Sequence, residues 1–477
     1  MADEVLLLVT YKPKEKALAE LTELFSSRTT KPLDLEVAAE MLRKHLDLKF
    51  TPALRGVPTY DFVLALDDVK DTRPLTIDDT FVYALDLIDR HSREAVQLFR
   101  VPRENALVHD VHVAIDLPTG LADAQVWCPE EASFPLFGDL DLALMQMRAP
   151  VGGYDGLNVN VVIVDQGINS NVLRQRVPTA NFLGGWITPE FDKGGPPGPF
   201  NPILPGAWPD DGLGPRVTHG TKMASLVLAV APQARILDLA LLPSHILTLQ
   251  GANGFLSWAI ATYRTLVLDI AWLRLLFPSF RGPWVLNNSW AVYNLSTDYP
   301  PGHPWNYGTN PNHPLNLAVA AAPLAGIDVV FAAGNCGQFC PDPRCGHGQI
   351  GPSRSIHGVA ALTDVLTVAA VRGDETWLGY SSQGPADLIF GSTKPDLCAP
   401  SQFAAFDDWN RNFTGTSSAC ALTAGAVAAR RTHVSPGAQS PALLRVHAVA
   451  TARMVVNQAG RGERRGAGMI DVGNFVV

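Results

Sequence analysis

Four short stretches of the 477-residue chain carry side chains suited to acyl transfer. In GTSSACALTAGAVAARR, residues 415–431, a serine stands at the start of a run that is small and apolar nearly all round, the pattern of a buried helix. Free N–H groups and the helix dipole favour negative charge there, which suits Ser417 as an acylated nucleophile beside a developing oxyanion. Gly415 supplies a tight turn and Thr416 is the expected N-cap. A serine hydroxyl is a poor nucleophile by itself; it needs a base and a group that orients the base. His219, followed by Gly220 and Thr221 and then an apolar small-residue helix, is placed to be the base. Asp165, closing the strand NVNVVIVD with Gly167 just beyond, is placed to orient it. Asn335, just off the strand IDVVFAAGN, offers an N–H₂ donor pair. Taken singly each has an ordinary reading: Ser417 as a helix cap, His219 as a cap or satisfied core histidine, and D-Q-G as a turn after a strand.

The elements that hold these residues alternate between strand and helix from about residue 140 onward. NVNVVIVD is a continuous β-branched run, expected of a strand buried on both faces of a parallel sheet. Further strands are expected at 231–242, 283–290, 327–335 and 365–371, and helices at 139–148, 254–277, 315–326 and 440–452. Sites in open α/β sheets form at the carboxyl ends of strands, where Asp165 and Asn335 fall. Residues 181–215 read as a long Gly/Pro-rich loop with no elements of its own. Residues 1–130 differ: strands in EVLLLVTY, TYDFVLAL and VHDVHVAIDL and helices over 14–27 and 34–46 give a small α+β domain. Its His45, His91, His109 and His112 have no acidic or sulfur partners at metal spacing and read as structural or surface residues.

Composition narrows the function classes. The net charge is −9 with no dense basic run, which argues against nucleic acid as a partner. Asp3 and Glu4 stand where a signal peptide would be positive, so a cytoplasmic location is expected. The apolar stretch 257–277 contains Arg264, Asp269 and Arg274, costly in lipid, and reads as a core helix instead of a membrane span. Cys336, Cys340, Cys345 and His347 fall at C-x3-C-x4-C-x-H directly after Asn335. Three alternatives stay open for them: tetrahedral zinc, a local disulfide with one spare thiol, or three unlinked cysteines.

D-Q-G at 165–167, H-G-T at 219–221, A-A-G-N at 332–335 and G-T-S at 415–417, in this order, resemble the motifs of the subtilisin-like serine peptidases, or subtilases. YSSQGP and KPDLCAP before Ser417 and GAGMID near the end agree, so the resemblance spans about 140–477. It implies a three-layer α/β fold with a mostly parallel sheet over 131–477, preceded by 1–130 as a pro-domain or a regulatory and docking domain. It implies a serine endopeptidase acting on a peptide or protein substrate: Ser417 attacks, His219 moves the proton, Asp165 orients His219, and Asn335 with the Ser417 N–H binds the oxyanion. Ser289, Trp290 and Ala291 on one side and Ala332, Ala333 and Gly334 on the other would wall the first specificity pocket and pair with an extended peptide. No cofactor is needed for that chemistry; structural calcium is common in the family, and no ligand set for it can be matched here. The chain departs from the pattern at Gln166, Ser418 and Ala421, the last where the family has a near-standard proline, and Trp290 and Ala291 replace smaller residues. Ala421 is the one feature that would suit a peptide ligase on the same fold; an idle binding module is the reading of a different class, opposed by the intact set of four.

Overall fold

The computed structural model of the protein describes residues 6–11, 50–52, 61–65, 111–115, 117–122, 138–186, 200–201, 217–242, 254–296, 298–303, 306–386, 393–405, 412–455 and 462–477. In the N-terminal part, β1 (Leu6–Tyr11), β2 (Phe50–Pro52), β3 (Asp61–Ala65) and β4 (Val111–Ile115) form an antiparallel sheet in the order β2-β3-β1-β4. The helices expected at 14–27 and 34–46 lie outside the described residues. A short strand follows, β5 (Pro118–Leu121), and then α1 (Leu140–Met147), capped by the Asp139 carboxylate on the Leu142 N–H at 2.9 Å.

The remaining chain builds a sheet between helices. Its elements in chain order are β6 (Asn160–Asp165), α2 (Ser170–Arg176), β7 (Asn181–Trp186), β8 (Phe200–Asn201), α3 (His219–Val230), β9 (Arg235–Ala240), β10 (Gly254–Phe255) and α4 (Leu256–Leu276). Then come β11 (Trp284–Asn288), β12 (Trp290–Val292), α5 (Pro314–Leu324), β13 (Ile327–Ala332), β14 (Leu366–Val371), β15 (Leu397–Pro400), α6 (Gly415–Arg431) and α7 (Pro441–Thr451). The sheet order is β15-β14-β13-β11-β6-β9-β7-β8, with every pair parallel except β7–β8.

Strand geometry sends successive side chains to opposite faces, so each strand feeds two cores. From β6, Val162 and Val164 pack with Ala259, Ile260 and Tyr263 of α4 and Leu315 and Val319 of α5. Val161 and Ile163 pack on the other side with Ala224 and Val227 of α3 and Ala424 and Val427 of α6. Gly425 is what lets α6 close on α3: a Cβ there would lie 2.8 Å from Val227 O. The charges of α4 are used internally: Asp269 accepts from Trp186 Nε1 at 2.8 Å, and Arg274 donates to Ala325 O and Gly326 O at the end of α5. Among the described residues no helix is long and apolar enough to cross a membrane.

The expected long loop 181–215 begins with a strand instead. β7 reads NFLGGW, and its glycines mask any β-branched pattern. Gly185 is required by close approach, since a Cβ there would lie 2.2 Å from Asp238 O; Gly184 stands at φ +100, and the β7–β9 register shifts between Phe182 and Gly185.

Candidate active site

Because β6, β11 and β13 are parallel, their carboxyl ends leave the sheet at one edge. Val164 is the register partner of Asn288, and Asn288 of Phe331, so Asp165, Ser289 and Ala332 emerge side by side. Asp165 is fully buried, and its two oxygens lie 2.7 and 2.9 Å from His219 Nδ1. With Nδ1 engaged by a carboxylate, the basic lone pair of the neutral imidazole falls on Nε2. His219 opens α3, and Thr218 caps that helix by accepting from Thr221 N at 3.1 Å while donating to Gly167 O at 2.5 Å. The glycine after the histidine has a steric cause: a Cβ on Gly220 would lie 2.6 Å from Gly167 O. Gln166 also has a function that its odd identity did not reveal. Its Oε1 accepts from His219 N at 3.1 Å, and its own N–H donates to Asp165 Oδ1 at 2.7 Å.

α6 begins at Gly415, with φ +72. The N-cap is Thr414, without a side-chain cap bond, and not Thr416 as expected. The Thr416 hydroxyl has other work: it donates to Asn335 Oδ1 at 2.9 Å and accepts from Gly334 N at 3.2 Å. Thr416 N also donates to Asn335 Oδ1, at 3.0 Å. Two donors on Oδ1 fix the amide orientation and leave Asn335 Nδ2 to donate toward Tyr293 Oη at 3.5 Å. Ser417 Oγ donates to Ser289 O at 3.2 Å.

A strand occupies the groove in front of these residues. β5 pairs antiparallel with β10 on one side and β12 on the other. Leu121 is opposite Trp290, Gly120 opposite Ala291 and Thr119 opposite Val292. Just past β5, Ala122 N donates to Ser289 O at 2.8 Å, and Ala122 O accepts from Ser417 N at 3.2 Å. A carbonyl held on the backbone N–H of a helix-start serine is where a peptide under attack would be held. Trp290, Ala291, Ala332, Ala333 and Gly334 line a cavity of about 20 Å³ together with Tyr307, Phe331 and His357. A void of that size holds about one water or a small aliphatic group.

Of the three alternatives for the cysteines, the structure takes the local disulfide, but without the spare thiol expected beside it. Cys336 and Cys345 are bonded, and Cys340 is disulfide-bonded as well. No thiolate of the cluster is left to ligate zinc; His347 lies exposed in a short 3-10 turn, and the described residues hold no group able to bind a metal ion. Cys398 and Cys420 are free and buried, and burial pushes both thiols up to about 12. Ala421 lies fully buried inside unbroken α6, a position that a small helix former fills well.

Residues 156–468 match the model of the Subtilase family. Among solved structures, fervidolysin from Fervidobacterium pennivorans, a keratinolytic enzyme related to subtilisin, is similar with a TM-score of 0.54 and 17% identity. The match covers 99% of this chain and 61% of that one, so this chain spans under two thirds of fervidolysin's length. MycP1 from Mycobacterium smegmatis matches with a TM-score of 0.44 and 20% identity, over 76% of this chain and 90% of that one. No curated protein matches.

Proposed function

Because this chain belongs to the subtilase family, we propose that it is a serine endopeptidase whose own residues 117–122 lie in the active site as a substrate would. In this reading Ser417 Oγ attacks the carbonyl of the residue seated where Ala122 is. His219 Nε2 takes the proton and returns it to the leaving amine. Asp165 keeps the imidazole in the required tautomer and stabilises its cation. Ser417 N–H and Asn335 Nδ2 receive the oxyanion, Nδ2 being turned to the cleft by the two Thr416 donors. Ser289, Trp290 and Ala291 bind the peptide as a strand edge, and Ala332, Ala333 and Gly334 form the opposite wall of the pocket.

The observation that carries the reading is the seating of Ala122, whose N–H and C=O are bonded to Ser289 O and Ser417 N. That seating supports a scissile bond between Ala122 and Asp123, with the preceding region proposed as a pro-segment that both blocks the cleft and is cut from it. The cavity of about 20 Å³ suits a small residue before the cut. Bonded cysteines suit an oxidising compartment, and the proposed setting is therefore of that kind and not the cytoplasm.

A fluorophosphonate probe should label Ser417 in the wild type and not in Ser417→Ala. Substitution of Ser417 or His219 by Ala should lower peptide turnover by on the order of 10⁶, the loss known for a member of this family. Labelling that persists in a folded Ser417→Ala chain would refute the assignment. Mass analysis of products with an added amine nucleophile should show hydrolysis, and transfer to the amine as the main outcome would support a ligase.

A further inference from the structure

Behind the Ala122 carbonyl, the next carbonyl in the cleft strand has partners of its own. Leu121 O accepts from Tyr293 Oη at 2.7 Å and from Arg344 Nη2 at 3.0 Å. A carbonyl oxygen offers two lone pairs, and here two donors meet them, one of them cationic. Both donors are held in place. Arg344 Nε and Nη2 bond the two oxygens of buried Asp342 at 2.9 and 2.8 Å. The guanidinium lies over the Tyr293 ring, 4.0 Å from its centroid. Gly346 N donates to Tyr293 O at 3.1 Å, which ties the loop carrying Arg344 to the end of β12. The glycine before Leu121 is fitted to the same group. A Cβ on Gly120 would lie 2.6 Å from Arg344 Nη1 and 3.5 Å from the Tyr293 ring. Nη1 is the far end of a flexible side chain, and it would yield to such a carbon by shifting against the bonds that Nε and Nη2 make to Asp342 and Leu121 O.

We propose that Tyr293 and Arg344 are substrate-binding residues that clamp the carbonyl of the second residue before the scissile bond, and that Arg344 selects glycine at the third. The clamp reads the backbone, so it acts on every extended substrate; the selection at the third residue is steric. The proposal rests on the peptidase reading above, since it transfers the seat of β5 to a substrate. The plainer account of the same contacts is that they only fasten the loop 336–345.

The test uses the full chain after its self-cleavage has run to completion. Two peptide pairs are compared, each small at the residue before the cut. In one pair the carbonyl oxygen of the second residue is replaced by sulfur, a poorer acceptor. In the other the third residue is glycine or alanine. For the wild type we expect roughly a tenfold penalty in kcat/KM for sulfur, carried mainly by KM, and roughly a tenfold preference for glycine. In Tyr293→Phe, which removes one oxygen and keeps the ring under Arg344, the sulfur penalty should shrink. In Arg344→Ala it should shrink and the glycine preference should vanish. Unfolding temperatures of both variants separate these effects from misfolding, and Tyr293→Phe keeps the test decisive if Arg344→Ala folds poorly. Penalties and preferences that are the same in both variants as in the wild type would overturn the clamp and leave the peptidase reading standing. Failure of the wild type to cut any of the peptides would overturn the peptidase reading itself.

Discussion

Asp238 stands in β9 opposite Ile163, one strand away from Asp165. Its Oδ2 accepts from Ile168 N at 3.0 Å, and Oδ1 has no hydrogen-bond partner among the described residues. Burial raises its pKa to about 7; the Ile168 N–H pulls it down, and the nearby Asp165 charge adds to the rise. The native state thus holds this proton more tightly than the unfolded chain, whose ordinary value is 3.8. The sign follows: stability is greatest below about 4 and is lost as pH rises toward 7, by roughly 4 kcal/mol as an upper bound. Asp238→Asn keeps an acceptor for Ile168 and cannot ionise. Measured by thermal unfolding in a Ser417→Ala background, it should be more stable than its parent at pH 7–8, with the gain fading toward pH 4. An advantage independent of pH would mean that Asp238 is not the group titrating. At this scale the sequence could point to Asp165, His219, Ser417 and Asn335, because each stands at a strand end or helix start beside a glycine. It could not point to Tyr293 or Arg344. Tyr293 meets Leu121 across 172 positions of chain and Arg344 meets it across 223, and no local pattern encodes such contacts.

The helix that carries Ser417 is anchored at both ends. Thr416 ties its start to Asn335, and Arg431 ties its last turn to Asp328 in β13, with bonds of 2.6 and 2.7 Å to the two carboxylate oxygens. Both partners therefore sit on β13 or just beyond it, so one strand sets the height of Ser417 at one end and holds the helix at the other. The Arg431 and Asp328 side chains are 0% and 3% exposed. Removing one member of such a pair strands a buried charge, so Arg431→Ala should cost about 3–5 kcal/mol in denaturant unfolding. A loss under 1 kcal/mol would mean that Arg274, whose charge also opposes the rise that burial gives the Asp328 pKa, takes over. Elements were legible where periodicity was undiluted. The β-branched run of β6 announces itself, and so does the small-residue pattern of α6. β7 does not, because Gly184 and Gly185, the second of which lets it approach Asp238, remove the side chains from which a strand is read. Sequence alone places the cap of α6 two residues late because Thr414 and Thr416 offer the same hydroxyl; what separates them is the fold of Asn335 onto Thr416, a tertiary contact.

At the scale of the whole molecule, β5 lies between the N-terminal sheet and the α/β body in chain order and runs through the cleft itself. The wild type should appear as two fragments divided between Ala122 and Asp123 by mass spectrometry, and Ser417→Ala as one full-length chain. Ala122→Phe tests the fit of the pocket: a ring cannot enter about 20 Å³, so the wild-type cut should slow by at least tenfold or move. An equally fast cut at the same bond would show that the pocket opens to large residues. Departure of β5 also changes what the surface presents. β10 and β12 would each be left with a row of unanswered N–H and C=O groups, the kind of edge on which unrelated chains stack into aggregates. β10 has two residues and β12 three, too short a template to propagate a sheet. The brevity of these two strands thus has a colloidal consequence: a cleft able to receive an extended chain one segment at a time, without offering enough edge to seed a fibre.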